Sequence, residues 1–237
     1  MKLMSILLLT LISSQLCAQQ ITVQEWDLQA ETNKSMLPKY GNLPKDETEL
    51  QADSLFFVTI AEKDNSRISA SKELIKLGFT NLYRNEVKIA MYRFNQAYLL
   101  DSLNSDIYWG FAAVYMTIGA ADRAKLKYEE GLKMNPQNTH LLTDYGTYYM
   151  SLYFESKNMD SKKAGEYLNA ALKNLNASYK LDALDENTTF KLSVCYWSKN
   201  ECDKAWRFHD ECKTLGGRPI SEEYTNELLK SCKRKVK

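Results

Sequence analysis

Within residues 105–138, bulky and small side chains fall at helical intervals twice over, and the same pattern returns at a step of 34 residues. Tyr108, Phe111, Ala112 and Tyr115 share one face of a first helix, and Ala124 and Tyr128 share one face of a second. Gly119 sits between the two runs, where the backbone must turn, and Pro136 closes the unit where no further helical hydrogen bond is needed. A step back to residues 71–104 finds Leu74, Leu77, Gly78, Ala90, Phe94 and Ala97 in the same register. One hairpin of this size has too little interior to be stable, so the repetition predicts stacked hairpins that share a core.

These residues resemble the tetratricopeptide repeat, whose signature is Trp-x2-Leu-Gly-x2-Tyr, then Ala-x3-Phe, then Pro over 34 residues. Asn81 and Ser102 depart from it where Tyr and Pro are usual. The resemblance implies an all-α fold, a right-handed α-solenoid of helix-turn-helix repeats at 71–104, 105–138, 139–185 and 186–219. The third unit carries Leu142, Tyr145, Gly146 and Tyr149 but runs to 47 residues, so it reads as a longer hairpin with its turn at 156–160. That turn should project about 10 Å beyond its neighbours, with Ala164 or Ala170 as the small packing residue of its second helix. The fourth unit is the weakest match, with Ser193, His209 and Cys212 at motif positions.

Ahead of the repeats, residues 1–18 pair Lys2 with an apolar run too short to span a bilayer, the form of an export signal cleaved after Ala18. Cys17 offers an alternative, a lipid-anchored first residue. Residues 19–46 mix Pro38, Gly41 and Pro44 with polar residues and read as an extended or partly disordered leader that Trp26 and Tyr40 could pin to the body. Residues 47–63 form an amphipathic helix with Leu50, Leu55, Phe56 and Ile60 on its apolar face, and residues 220–233 form another with Tyr224, Leu228 and Leu229 inward. Both are expected to cap the array.

Removing residues 1–18 takes one cation, Lys2, from 31 Lys and Arg against 30 Asp and Glu, leaving a neutral chain. Such a balance gives no general reason to bind nucleic acid or anionic lipid. The basic cluster at the end, Lys230, Lys233, Arg234, Lys235 and Lys237, reads as a solvated tail.

No arrangement of nucleophile and base and no phosphate loop is present, so no catalytic residue, cofactor or enzymatic activity is assigned. His209 and Cys212 lie one helical turn apart, but Cys202 is about two turns from His209, and a closed metal site needs four ligands. Cys195, Cys202, Cys212 and Cys232 cluster in the last quarter, and in an oxidising compartment they are candidates for disulfides that staple the end cap to the last repeat. Cys232 would sit level with Cys202 or Cys195, and Cys212 could stay a buried thiol; the pairing is open.

The resemblance further implies a concave surface lined by the first helices and used to bind a protein or peptide partner. On it would lie Phe79, Tyr83, Trp109, Met116, His140, Met150, Phe190 and Trp197, a lining rich in aromatic rings and Met. The positions at which some members grip a terminal carboxylate with Lys, Asn and Arg hold Ile75, Phe79, Trp109 and Ala113 here, which argues against that clamp. An export signal joined to such repeats is similar to envelope proteins of the Bacteroidetes, periplasmic or secreted. Two other functions fit the same residues: carbohydrate or small-molecule binding on Trp109 and Trp197, or a structural spacer in an envelope assembly.

Overall fold

The computed structural model describes residues 21–63 and 66–234. The expected export signal with Cys17, and Lys235 and Lys237 of the basic tail, lie outside the described residues. The described chain is helical throughout, with eleven α-helices, two short 3₁₀ turns and no strand among the described residues. Helices α1 (Val23–Ala30) and α2 (Glu47–Glu62) precede four antiparallel pairs. The pairs are α3 (Arg67–Tyr83) with α4 (Val87–Leu100), α5 (Asp106–Thr117) with α6 (Ala121–Met134), α7 (Thr139–Ser156) with α8 (Ser161–Leu181), and α9 (Glu186–Ser198) with α10 (Cys202–Leu215). Helix α11 (Glu222–Ser231) closes the stack.

Small residues set how closely the helices approach. Ala90, Ala124 and Ala205 on the second helices are fully buried. At Gly78 on α3 and Gly110 on α5, an added Cβ would lie 2.4 Å from ring atoms of Phe94, so this one ring is clamped between two backbones. In the third pair an added Cβ on Gly146 would meet the Leu175 side chain and the carbonyl of Ala171. Ala171 is therefore the small residue opposite Gly146, whereas Ala164 is buried nearer the turn and Ala170 is half-exposed.

The turns repeat as faithfully as the core. Asn85, Gly119 and Asn200 each adopt a left-handed backbone (φ 60°, 82° and 60°) just after a first helix. The next N–H then reaches back to a helical carbonyl, Glu86 to Asn81 at 2.8 Å, Ala120 to Tyr115 at 2.8 Å and Glu201 to Tyr196 at 2.9 Å. This closes the helix ends in the six-to-one manner of a Schellman motif. Asn and Gly tolerate that conformation best, which is why these residues sit there. The third pair lacks this device and turns later, because α7 has 18 residues where α5 has 12. Six further residues at 1.5 Å each lengthen the hairpin by about 9 Å.

Between pairs, a second device recurs. The side chains of Asp101, Asn135 and Asp182 each accept the N–H two residues on. Three residues later Asn104 accepts the N–H of Asp106 just ahead of α5, and Asn138 and Asp185 cap α7 and α9, accepting from Leu141 and from Asn187 and Thr188 respectively. Asp and Asn make the same turn at the first of these positions, while at the second Asp185 accepts through both oxygens.

Residues 21–46 differ from the extended leader expected for them. They hold α1 and the two 3₁₀ turns, with Trp26, Met36 and Pro38 buried. The reason is the buried Asn95 of α4: its amide donates to the carbonyls of Ser35 (2.8 Å) and Leu37 (2.9 Å), and its oxygen accepts the N–H of Lys39 (2.7 Å). Asp27 pairs with Arg123 at 2.8 Å and Lys39 with Glu130 at 3.0 Å, so the segment runs along α4 and α6, the second helices. Helix α2 departs from expectation in part: Phe56 and Ile60 pack partly on the core as expected, with Phe57 beside them, but Leu50 and Leu55 are exposed.

Candidate binding groove

The first helices α3, α5, α7 and α9 lie side by side, and their shared face carries a ladder of rings. Phe79 of α3 lies 3.9 Å from Trp109 of α5, and Trp109 stacks on His140 of α7 at 4.3 Å and 13°. Because α3 and α7 flank α5, the two neighbours occupy opposite sides of the indole. The Trp109 Nε1–H donates to Asp144 Oδ2 at 2.6 Å, which fixes the ring's edge as well as its faces.

Two concavities adjoin across this ladder. The first, about 540 Å³, is floored by Ile75, Phe79 and Trp109 and flanked by Lys72, Lys76, Asp101 and Asp106. The second, about 520 Å³, lies toward α9 and is bordered by Thr143, Asp144, Asp182, Asp185 and Lys191. Tyr83, Trp109 and His140 border both. Tyr83 is 90% exposed, a large ring left standing in water beside two hollows.

Four of the eight side chains expected on one surface therefore meet here: Phe79, Tyr83, Trp109 and His140. The other four are placed elsewhere. Met150 is buried in the C-terminal core, and Met116 packs half-buried on the N-terminal one. Phe190 meets Tyr224 of α11 edge-on at 5.2 Å. Trp197 donates from Nε1 to Ser231 Oγ at 2.6 Å and meets the same Tyr224 ring at 5.6 Å. Helix α11 takes the place of a next first helix, so its residues, and not a ligand, satisfy these two rings. Missing from the sequence reading were the polar walls, Lys72, Lys76, Asp106, Asp144 and Lys191. For Lys76, Asp106 and Asp144 the signal is positional: each lies three or four residues along a helix from Phe79, Trp109 or His140.

His140 Nδ1 lies 3.1 Å from Asp106 Oδ1, and Asp106 also accepts from the Asn138 amide at 2.7 Å. The bond to Asp106 raises the His140 pKa above the ordinary imidazole value, opposed by burial and aided by the charges of Asp106, Asp144 and Asp185. Burial pushes the Asp106 carboxyl up, but the bonds from His140 and Asn138 outweigh it and hold it below the usual range. The raised histidine contributes stability that is fully present below its unfolded pKa and fades as pH rises through the folded one. The depressed aspartate contributes above its unfolded pKa, and that part is lost as pH falls through its folded value. NMR titration of the His140 ring is expected to give a midpoint above that of an unstructured peptide, and Asp106→Asn should bring it down; an unmoved midpoint would contradict the pairing.

Of the four cysteines, Cys202 and Cys232 form a disulfide across 30 residues, tying α10 to the end of α11. Cys195 and Cys212 are buried free thiols. Burial pushes Cys195 up to about 12, and burial with the nearby Glu186 and Asp185 charges pushes Cys212 up to about 11, so neither is a thiolate at neutral pH. Cys212 donates to the Glu186 carbonyl at 3.4 Å, and His209 bonds Thr225 at 3.1 Å, so Cys202, His209 and Cys212 face separate partners. Among the described residues no three His, Cys, Asp or Glu side chains are placed to hold a metal ion. Nor is any described helix long and apolar enough to cross a membrane.

No protein-family model matches the sequence, and no curated protein matches it. Solved structures do. TTC0263, a thermophilic TPR protein of Thermus thermophilus, superposes with a TM-score of 0.58 at 18% identity, covering 70% of this chain and 84% of that one. MamA of AMB-1 gives a TM-score of 0.48 at 19% identity over 68% of this chain and 80% of that one, too loose a fit to argue from. The first match, with the four stacked pairs, shows that the chain has the fold of a tetratricopeptide-repeat solenoid; at such identity it speaks to fold alone.

Proposed function

We propose that this solenoid is an exported interaction module that holds a segment of a partner protein along α3, α5 and α7. The observation that carries this reading is the continuity of the groove: two hollows of about 540 and 520 Å³ meet at Tyr83, Trp109 and His140. Elongated, ring-lined grooves of this kind suit peptide segments, whose side chains fill successive pockets. A sugar would need an open ring face. Trp109 has Phe79 and His140 on its two faces, and Trp197 is engaged by α11, so neither offers a stacking platform. Export to an oxidising compartment of the cell envelope belongs to the same proposal, and the Cys202–Cys232 bridge supports it.

The test is a binding titration of the mature chain with labelled peptides and, in parallel, with oligosaccharides. Peptide binding should weaken by about tenfold in Tyr83→Ala, as for an exposed aromatic contact. Tyr92→Ala, at a partly exposed ring on α4 outside the groove, should change nothing. Saturable oligosaccharide binding without peptide binding would overturn the reading. Absence of any saturable ligand, with loss of an envelope assembly on trimming residues 156–160, would favour a spacer.

A further inference from the structure

The two hollows differ in charge, and that difference identifies the side chain the groove is built to take. In the first, Lys72 and Lys76 balance Asp101 and Asp106 around an apolar floor. In the second, Asp144, Asp182 and Asp185 face Lys191, which lies 4.0 Å from Asp144, and the His140 ring, which is already paired with Asp106 at 3.1 Å. The surplus of carboxylates sits beside the exposed Tyr83 ring.

Helix capping accounts for Asp185 and not for the rest of that surplus. Asp182 occupies the link position of Asn135, where a neutral amide makes the same turn, whereas Asp185 caps with both oxygens, accepting the N–H of Asn187 and the N–H and hydroxyl of Thr188 where Asn138 accepts the one N–H of Leu141. Nor does the indole need a charge at Asp144, since an amide oxygen would accept Trp109 Nε1–H equally well. Asp144 and Asp182 thus carry a charge that neither the indole bond nor the turn requires, and with Asp185 they make the hollow acidic, a field complementary to a cation.

We infer that the groove's occupant is a partner segment presenting an apolar side chain to Ile75, Phe79 and Trp109 and a basic side chain, Arg or Lys, to Asp144, Asp182 and Asp185. The inference rests on the peptide-binding reading above and deepens it. Neighbouring first helices pack roughly 8–10 Å apart, so an extended segment of about six residues spans the two hollows at some 3.3 Å per residue. The cation completes the acidic hollow and rests against the Tyr83 ring.

The experiment uses the full mature chain and three labelled nonapeptides that share one leucine and differ three residues on, carrying Arg, Gln or Glu, measured by fluorescence anisotropy. The Arg peptide should bind about tenfold tighter than the Gln peptide and the Glu peptide weakest, and the gap should shrink between 50 and 500 mM salt, by order-of-magnitude reasoning on screened charge pairs. Asp182→Asn with Asp185→Asn should remove most of the Arg preference, read as the ratio of Arg-peptide to Gln-peptide affinity, so that any weakening of the Asp185 cap, which lowers the affinities alike, is separated from the loss of charge. Lys191→Gln should increase the preference. Equal affinity for Arg and Gln peptides overturns this inference and leaves the peptide groove standing; a double variant that keeps the Arg preference overturns it too. No binding by any of the three overturns both.

Discussion

Phe94→Ala is expected to destabilise the N-terminal half of the array by about 3–5 kcal/mol, the range for removing a fully buried phenylalanine. Phe94 has no exposed surface, meets Phe79 at 5.2 Å and Phe111 at 6.4 Å, and lies between the backbones of Gly78 and Gly110. The sharper test is the sign of a second substitution. In the native chain Gly110→Ala drives a Cβ to 2.4 Å from the Phe94 ring, an overpacking cost of about 1–3 kcal/mol. Alanine's better helix propensity offsets roughly 1 kcal/mol of that. In the Phe94→Ala background the ring is gone and only the propensity remains, so the same Gly110→Ala change should stabilise. Denaturant unfolding of the four-member cycle measures the coupling. An equal cost of Gly110→Ala in both backgrounds would show that the ring does not set the spacing of α3, α4 and α5.

The second large effect is at the other end. Breaking the Cys202–Cys232 bridge, which closes a loop across 30 residues, should cost about 3–4 kcal/mol on the chain-entropy scale. The loss should be local, because repeats are held mainly by nearest neighbours. Helix α11 buries only Tyr224 and Leu228 of its own residues, and its end is tied by the bridge and by the Trp206 Nε1–H bond to the Cys232 carbonyl at 2.9 Å. Hydrogen exchange on a Cys202→Ser/Cys232→Ser variant should therefore show α11 losing protection first, with α3 to α6 unaffected. Unchanged protection of α11 would mean that packing alone seats the cap.

What the sequence made legible follows from distance along the chain. The helix pairs were readable because Tyr108, Phe111, Ala112 and Tyr115 report a local period. The turn at Gly119 carried a signal, whereas Asn85 and Asn200, which adopt the same backbone, were hidden by their ordinary polar character. The leader was misjudged because its order comes from Asn95, about 60 positions away, whose three bonds substitute for any period of its own. On α2, apolar residues at helical spacing overstated burial: Leu50 and Leu55 fit the pattern but stay exposed. At the groove, ring positions followed from the repeat register. Which rings stay free did not, since that depends on where α11 docks and covers Phe190 and Trp197. The cysteine pairing was open for the same reason, and the position of α11 selects Cys232 with Cys202.

The third pair grows outward from its hairpin end, while the links that join it to its neighbours keep the same two-step turn and cap. Growth at that end is thereby decoupled from the pitch of the stack. The arm of α7 and α8 can be lengthened or shortened turn by turn, changing how far Met159 at its tip reaches into solvent, while the seats at Tyr83, Trp109 and His140 keep their separation. Reach and grip are independently adjustable in such a molecule.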